Sequence, residues 1–194
     1  MLLAAIQKVS LFHLLHKIDV DLAEAVQSQG CAHCGGPLHD AHYPRKGRGG
    51  PVEIPERYNR RLGKCCGREG CRRRTLPASV LFMGRRVFWA PVVLVVTTLR
   101  QQRTTGSGVR RLKKLLDVSK ETLERWRRFF RDVFPTSEPW RQVRGLVGSE
   151  VRNHELPAGL LSHFMAKSEE PERAVVNCLS LLATGQISQL DRAP

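Results

Sequence analysis

The chain has 194 residues, of which 41% are hydrophobic and 26% charged, so it has the material for a folded core and is neither a disordered tail nor a fibre. Thirty-two Lys/Arg against 18 Asp/Glu give a net charge of +14, which points to a polyanionic partner. Only 6% of residues are aromatic, which counts against a base-stacking single-strand platform, and six cysteines are too few for a disulfide-dense secreted scaffold.

Residues 1–30 carry apolar side chains at helical spacing, from Leu2, Leu3 and Ile6 through Leu11, Phe12 and Leu15 to Val20 and Val26. The pattern predicts one broken helix or two short ones packed on the rest. Asp19 or Asp21 would cap the second piece and Gly30 would end it. The apolar start lacks a cationic leader and a small-residue cleavage site, so no secretory signal is expected. The longest apolar run, 87–99, contains Pro91 and is too short to span a bilayer. The expectation is a cytoplasmic protein with no membrane partner and no small-molecule substrate.

Residues 31–75 change character. They hold five of the six cysteines, and no helical period survives. Loop and short strand are expected, with too few apolar side chains to fold by burial alone, so a covalent or metal staple is required. Cys31 and Cys34 form one Cys-x2-Cys knuckle, and Cys65, Cys66 and Cys71 supply a second group. Two such knuckles deliver the four sulfur donors of a tetrahedral zinc site, and four cysteines close the shell, which makes the Zn2+ structural rather than catalytic. The best set is Cys31, Cys34, Cys66 and Cys71. Cys65 competes with Cys66 for the third place, and His33, His39 and His42 are substitutes. Disulfides and buried free thiols are the plainer alternatives. Gly35, Gly36, Gly67 and Gly70 allow the tight turns, and Cys178 reads as a core residue of a later helix.

Helical pattern returns at 76–134. Pro91 suits the first turn of a helix running from 90 to about 102. A polar break at 104–108 leads to a short amphipathic helix at 109–116. A turn at 117–119 follows, and Ser119 caps a third helix over 121–132, stopped before Pro135. This order reads as a helix-turn-helix, with Leu112, Leu115, Val118, Leu123 and Trp126 inward. The plainer alternative is a helical bundle with a solvated charged face. Helical patches at 156–165 and 172–183 complete the chain.

Charge is concentrated in two of these regions. Residues 41–75 hold eleven Lys/Arg against three acids and residues 100–132 eleven against four, whereas both ends are slightly acidic. Two basic blocks suggest two contacts with a phosphate backbone. In the helix-turn-helix reading, Lys120, Glu121, Thr122 and Arg125 are placed for base edges, with Ser119 at the helix start and Arg128 on the same face. Arg72, Arg73 and Arg74, at the edge of the cysteine region, would hold phosphates, as would Arg127, Arg128 and Arg131.

The cysteine pairs, then Arg72-Arg73-Arg74-Thr75, Ser79-Val80-Leu81-Phe82, an apolar helix at 90–102 and Val118-Ser119-x-x-Thr122 occur in an order that resembles the DNA-binding front half of bacterial insertion-sequence transposases. It is similar also to short stand-alone proteins of mobile elements. The resemblance spans 31 to about 132. It implies a cytoplasmic, nucleoid-associated, double-stranded DNA-binding accessory or regulatory factor in transposition, with a transposase or transposition ATPase as a protein partner. The ribonuclease-H-like catalytic domain of those enzymes does not fit in residues 133–194, so no catalytic residue is carried over and no enzyme is expected. A fainter resemblance, through His39-Asp40-x-His42, Pro44, Gly49-Gly50, Asn59 and the later cysteines, is to HNH endonucleases, in which a His activates water beside a metal. A protein- or RNA-binding zinc module is the remaining alternative.

The expected architecture is therefore mainly α with a small β zinc ribbon and a helix-turn-helix three-helix bundle. Its parts are a helical segment at 1–30, the ribbon at 31–85, the helix-turn-helix domain at 86–134 and a helical tail at 135–194.

Overall fold

The computed structural model describes residues 1–84, 86–101, 116–147 and 150–185. Its N-terminal segment is a short helix, α1 (Leu2–Ala5), followed by a long one, α2 (Val9–Gln29), that ends at Gly30 with φ +74. Glycine reaches that left-handed region without a Cβ penalty, so the helix stops where the sequence indicates. Asp19 caps nothing. It lies mid-helix and buried, and takes hydrogen bonds from the Ser79 hydroxyl and the Val80 amide, about sixty residues downstream.

Five short strands follow: β1 (Leu38–Asp40), β2 (Tyr43–Pro44), β3 (Arg60–Arg61), β4 (Lys64–Cys66) and β5 (Arg74–Thr75). They make a three-stranded antiparallel sheet in the order β1-β4-β5 and a separate antiparallel pair, β2-β3. Cys66 stands opposite Leu38 in this register, and Cys65 opposite His39 and Arg74.

Helix α3 (Ala90–Gln101) begins with Pro91 in its first turn and is buried from Ala90 through Thr98. A helix apolar all round belongs at the centre of a core. Its threonines are tolerated partly because the Thr97 hydroxyl donates to the Val93 carbonyl at 2.7 Å. The glycine-containing break and most of the first helix of the expected helix-turn-helix fall in 102–115, outside the described residues. Helix α4 (Lys120–Arg128) starts one residue earlier than expected. Its helical path continues as a π-type turn over Phe129–Val133 and a 3-10 turn over Phe134–Thr136, which holds Pro135. Three more helices complete the fold: α5 (Glu138–Val143), α6 (Ala158–Ala166) and α7 (Pro171–Thr184).

One apolar core joins α1 and α2 to the 80–82 segment, α3, α4 and α5–α7, with Cys178 buried inside it. Trp89 sits at the start of α3 between Phe12, in edge contact at 5.3 Å, and Phe82 at 4.9 Å between ring centroids. The segments around the cysteines form a satellite cluster of Cys31, Leu38 and Cys66, edged by Val26, Cys34 and Cys71, while Tyr58 between them joins the main core. The protein is thus mainly helical with a small antiparallel sheet. No helix among the described residues is long and apolar enough to cross a membrane.

Candidate metal centre and basic surfaces

The four sulfurs of Cys31, Cys34, Cys66 and Cys71 all lie within 4.8 Å of one another. The Cys31–Cys71 pair is at 3.8 Å and the Cys34–Cys66 pair at 3.5 Å. Four thiolates bonded to a central ion at about 2.3 Å define a tetrahedron with edges of about 3.8 Å. These two spacings lie near that figure and are far too long for S–S bonds, and all six cysteines are free. Among the described residues, this is the one group of three or more His, Cys, Asp or Glu side chains gathered closely enough to hold an ion.

Local backbone chemistry builds each half. In the first knuckle the Gly35 amide donates to the Cys31 carbonyl at 2.8 Å and the Cys31 amide to the Gly36 carbonyl at 2.9 Å, with Gly35 at φ +67. In the second, the Cys71 amide donates to the Arg68 carbonyl, Gly70 takes φ +81, and the Arg68 amide points at the Cys66 sulfur at 3.4 Å. The sheet brings the halves together, because β1 carries the chain out of the first knuckle and β4 delivers Cys66 beside it. Gly36 has a tighter duty than turning. A Cβ there would stand 3.1 Å from the Cys66 sulfur and 3.3 Å from that of Cys34.

The thiols are electrostatically uneven. Backbone amides of His33 and Cys34 pull Cys31 down to about 7. At Cys66 the Arg68 amide favours the thiolate, but burial and the neighbouring thiols outweigh it and push the group up to about 12. The four cannot all ionise side by side without a cation among them, which is the demand a divalent metal satisfies. Cys65 stays outside this set. Its thiol donates to the Arg72 carbonyl at 3.4 Å, which leaves Cys66 as the third member. Arg68 is a supporting residue that sequence reasoning missed. Its guanidinium donates to the Cys34 carbonyl at 2.8 Å and so laces the second knuckle to the first.

None of His33, His39 and His42 belongs to this set. His39 packs over Gly67, where a Cβ would meet its Nε2 at 2.3 Å. Asp40 is engaged by Lys64 at 2.5 Å, and His42 Nδ1 lies 3.2 Å from the Gly63 carbonyl oxygen.

Arg72, Arg73 and Arg74 are exposed where the second knuckle runs into β5, Arg72 with φ +45. The other expected contact residues lie on α4. Ser119 is its N-cap and accepts a hydrogen bond from the Thr122 amide at 3.2 Å. Lys120, Glu121, Arg125 and Arg128 are exposed, and Arg125 donates to the Thr122 hydroxyl at 2.9 Å. Trp126, on the opposite side, is buried in edge contact with Phe88, and Leu116 and Val118 are buried beneath the turn. Arg127 pairs with Glu124 at 3.3 Å and Arg131 with Asp132 at 2.7 Å, so these two arginines are partly neutralised.

No protein-family model, curated protein or solved structure matches the chain.

Proposed function

We propose that the protein binds double-stranded DNA, with Zn2+ as the structural ion of the cysteine site and no catalysis of its own. A set of four thiols gathered within 4.8 Å suits zinc and, with all four bound, leaves no open position for a reacting water. The observation that carries the DNA reading is the two-sided character of α4. Its inner side chain, Trp126, is locked into the core, while Lys120, Arg125 and Arg128 stand exposed on a capped helix. In this reading α4 is the recognition helix of a helix-turn-helix, with Lys120, Glu121, Thr122 and Arg125 reading base edges from its first turns. The exposed Arg72–Arg74 run of the zinc ribbon holds backbone phosphates. The order of these parts, like that of transposase front halves, suits an accessory or regulatory factor of a bacterial mobile element, acting beside a transposase or its ATPase.

The test is a titration of the zinc-loaded chain against random duplex DNA at 50 and 200 mM salt. Several phosphate contacts predict an affinity that falls steeply with salt, with a slope of about 0.9 per contact in log–log form. Weak or salt-insensitive binding would overturn the reading. With a selected site in hand, Arg125→Ala should relax sequence preference, whereas Arg73→Ala should weaken all sequences alike and flatten the slope by about 0.9.

A further inference from the structure

The larger basic block, residues 41–75, has more to it than the Arg72–Arg74 run. Along the β2–β3 pair and the loops that flank it lies a groove of about 440 Å³ whose lining includes Arg45, Lys46 and Arg60, with Glu56 as its one carboxylate. The three cations differ in what they are free to do. Arg45 is occupied by the fold. Its guanidinium donates to the Arg86 carbonyl at 2.6 Å and lies over the Phe82 ring at 5.6 Å. Lys46 and Arg60 are exposed, and neither has an acidic partner among the described residues.

The wall that carries Lys46 is rigidly held. The Arg45 amide donates to the Asn59 carbonyl at 2.8 Å, and the Gly47 amide donates to Asn59 Oδ1 at 3.3 Å. Gly47 lies so close to Trp89 that a Cβ would stand 2.1 Å from the indole, and Gly50 meets the same ring. Arg48 bridges Phe88 just before α3. Lys46 is therefore pinned between a strand pair and the aromatic core rather than carried on a free loop. Strand alternation sets the other cation. Arg61 turns inward, donating to the Pro77 carbonyl, and its neighbour Arg60 faces out.

Two exposed cations on anchored backbone at one concave edge, without acidic partners among the described residues, are suited to an anion with several acceptor oxygens, and both offer donors and no acceptor. We infer that the β2–β3 groove is a second phosphodiester contact, in which Lys46 and Arg60 each neutralise one backbone phosphate of the bound DNA. This rests on the DNA-binding reading above and adds a site to it. The Asn59 amide nitrogen, whose oxygen partner is already engaged by Gly47, supplies a neutral donor at the same edge.

The experiment uses the zinc-loaded full chain and a random-sequence duplex, with wild type compared with the Lys46→Ala/Arg60→Ala double variant and with a charge-matched control, Lys17→Ala/Lys167→Ala, whose exposed lysines lie outside the groove. Circular dichroism and zinc content establish that each variant is folded. The loss of two phosphate contacts flattens the log–log salt slope by about 1.8, so the ratio of affinities at 50 and 200 mM salt shrinks by about twelvefold relative to wild type. The control keeps the wild-type slope. A steep wild-type slope that survives the double variant, or that the control flattens equally, overturns the groove and leaves the DNA reading standing. A wild-type chain with no salt-dependent binding overturns both.

Discussion

Asp19 shows how one side chain can tie distant parts of the chain together. Its carboxylate receives the Ser79 hydroxyl at 2.5 Å and the Val80 amide at 2.6 Å, and Ser79 in turn accepts from the Phe82 amide at 3.0 Å. Burial disfavours its charge more than these bonds favour it and pushes the group from 3.8 up to about 6. Because the folded value is the higher one, the native state binds the extra proton between those two values. Stability from this group is therefore full below pH 3.8 and is lost as pH rises to about 6, a change of about 3 kcal/mol. Urea unfolding of wild type and Asp19→Asn from pH 4 to 7 checks it: the difference between the two should vary over that window and level off above it. A difference that stays constant would show that the carboxyl does not titrate there. Nothing in the local sequence announces this role. An aspartate near a helical start reads as a cap, and its real partners are sixty residues away. Gly47 and Gly50 are similar. Flanked by Arg and Pro they read as loop, whereas their actual duty is to let the backbone lie against Trp89. Close approach is a property of two segments and leaves no mark in one.

At the level of single elements the sequence is far more explicit. Pro91 opens α3, Gly30 closes α2 and Ser119 caps α4, each because the residue's own backbone chemistry suits one position. The knuckle spacings single out the cysteine set, and the sheet register decides between Cys65 and Cys66. What escaped was the path beyond Arg128, where the helix widens through Phe129–Val133 instead of running on regularly. That turn seats Phe130 and Phe134 in the core, with ring centroids 5.9 Å apart, and tertiary packing of this kind overrides local helical preference. Ser119→Ala removes the bond to the Thr122 amide and should cost about 1 kcal/mol. Chemical denaturation measures the loss. Because the cap orders the turns proposed to read bases, the same variant should weaken sequence preference more than the affinity for random duplex.

Across the whole molecule, stabilisation is divided. The helices share one extended apolar core, whereas the segments that carry the four clustered sulfurs have a cluster of three buried residues and, in the proposed reading, depend on the ion those sulfurs would hold. Chelation should therefore release 31–40 and 64–75 while α3 stays folded. Amide exchange would read this as lost protection at Cys31, Cys66 and Cys71, with protection retained from Val92 to Val96. Simultaneous loss in both regions would mean that the ion supports the entire fold. A mainly helical fold with a small sheet was legible because periodicity and composition change sharply at the first cysteine. The sharing of one core by α1, α2 and α7 was not, since apolar faces do not name their partners.

That sharing has a consequence for the order in which the protein can take shape during synthesis. Helices α1 and α2 pack against α7, and Lys8 pairs with Glu172 across the contact. Part of the apolar face of α1 and α2 thus waits for α7 before it is covered. All four clustered cysteines, by contrast, have been made once Cys71 has left the ribosome, a hundred residues before Pro171. With the proposed ion bound, the nascent chain could fix the small sheet early and hold Gly47 and Gly50 ready for Trp89, which follows them. On this account the cysteine module is a local template, on which the more cooperative helical core is assembled late.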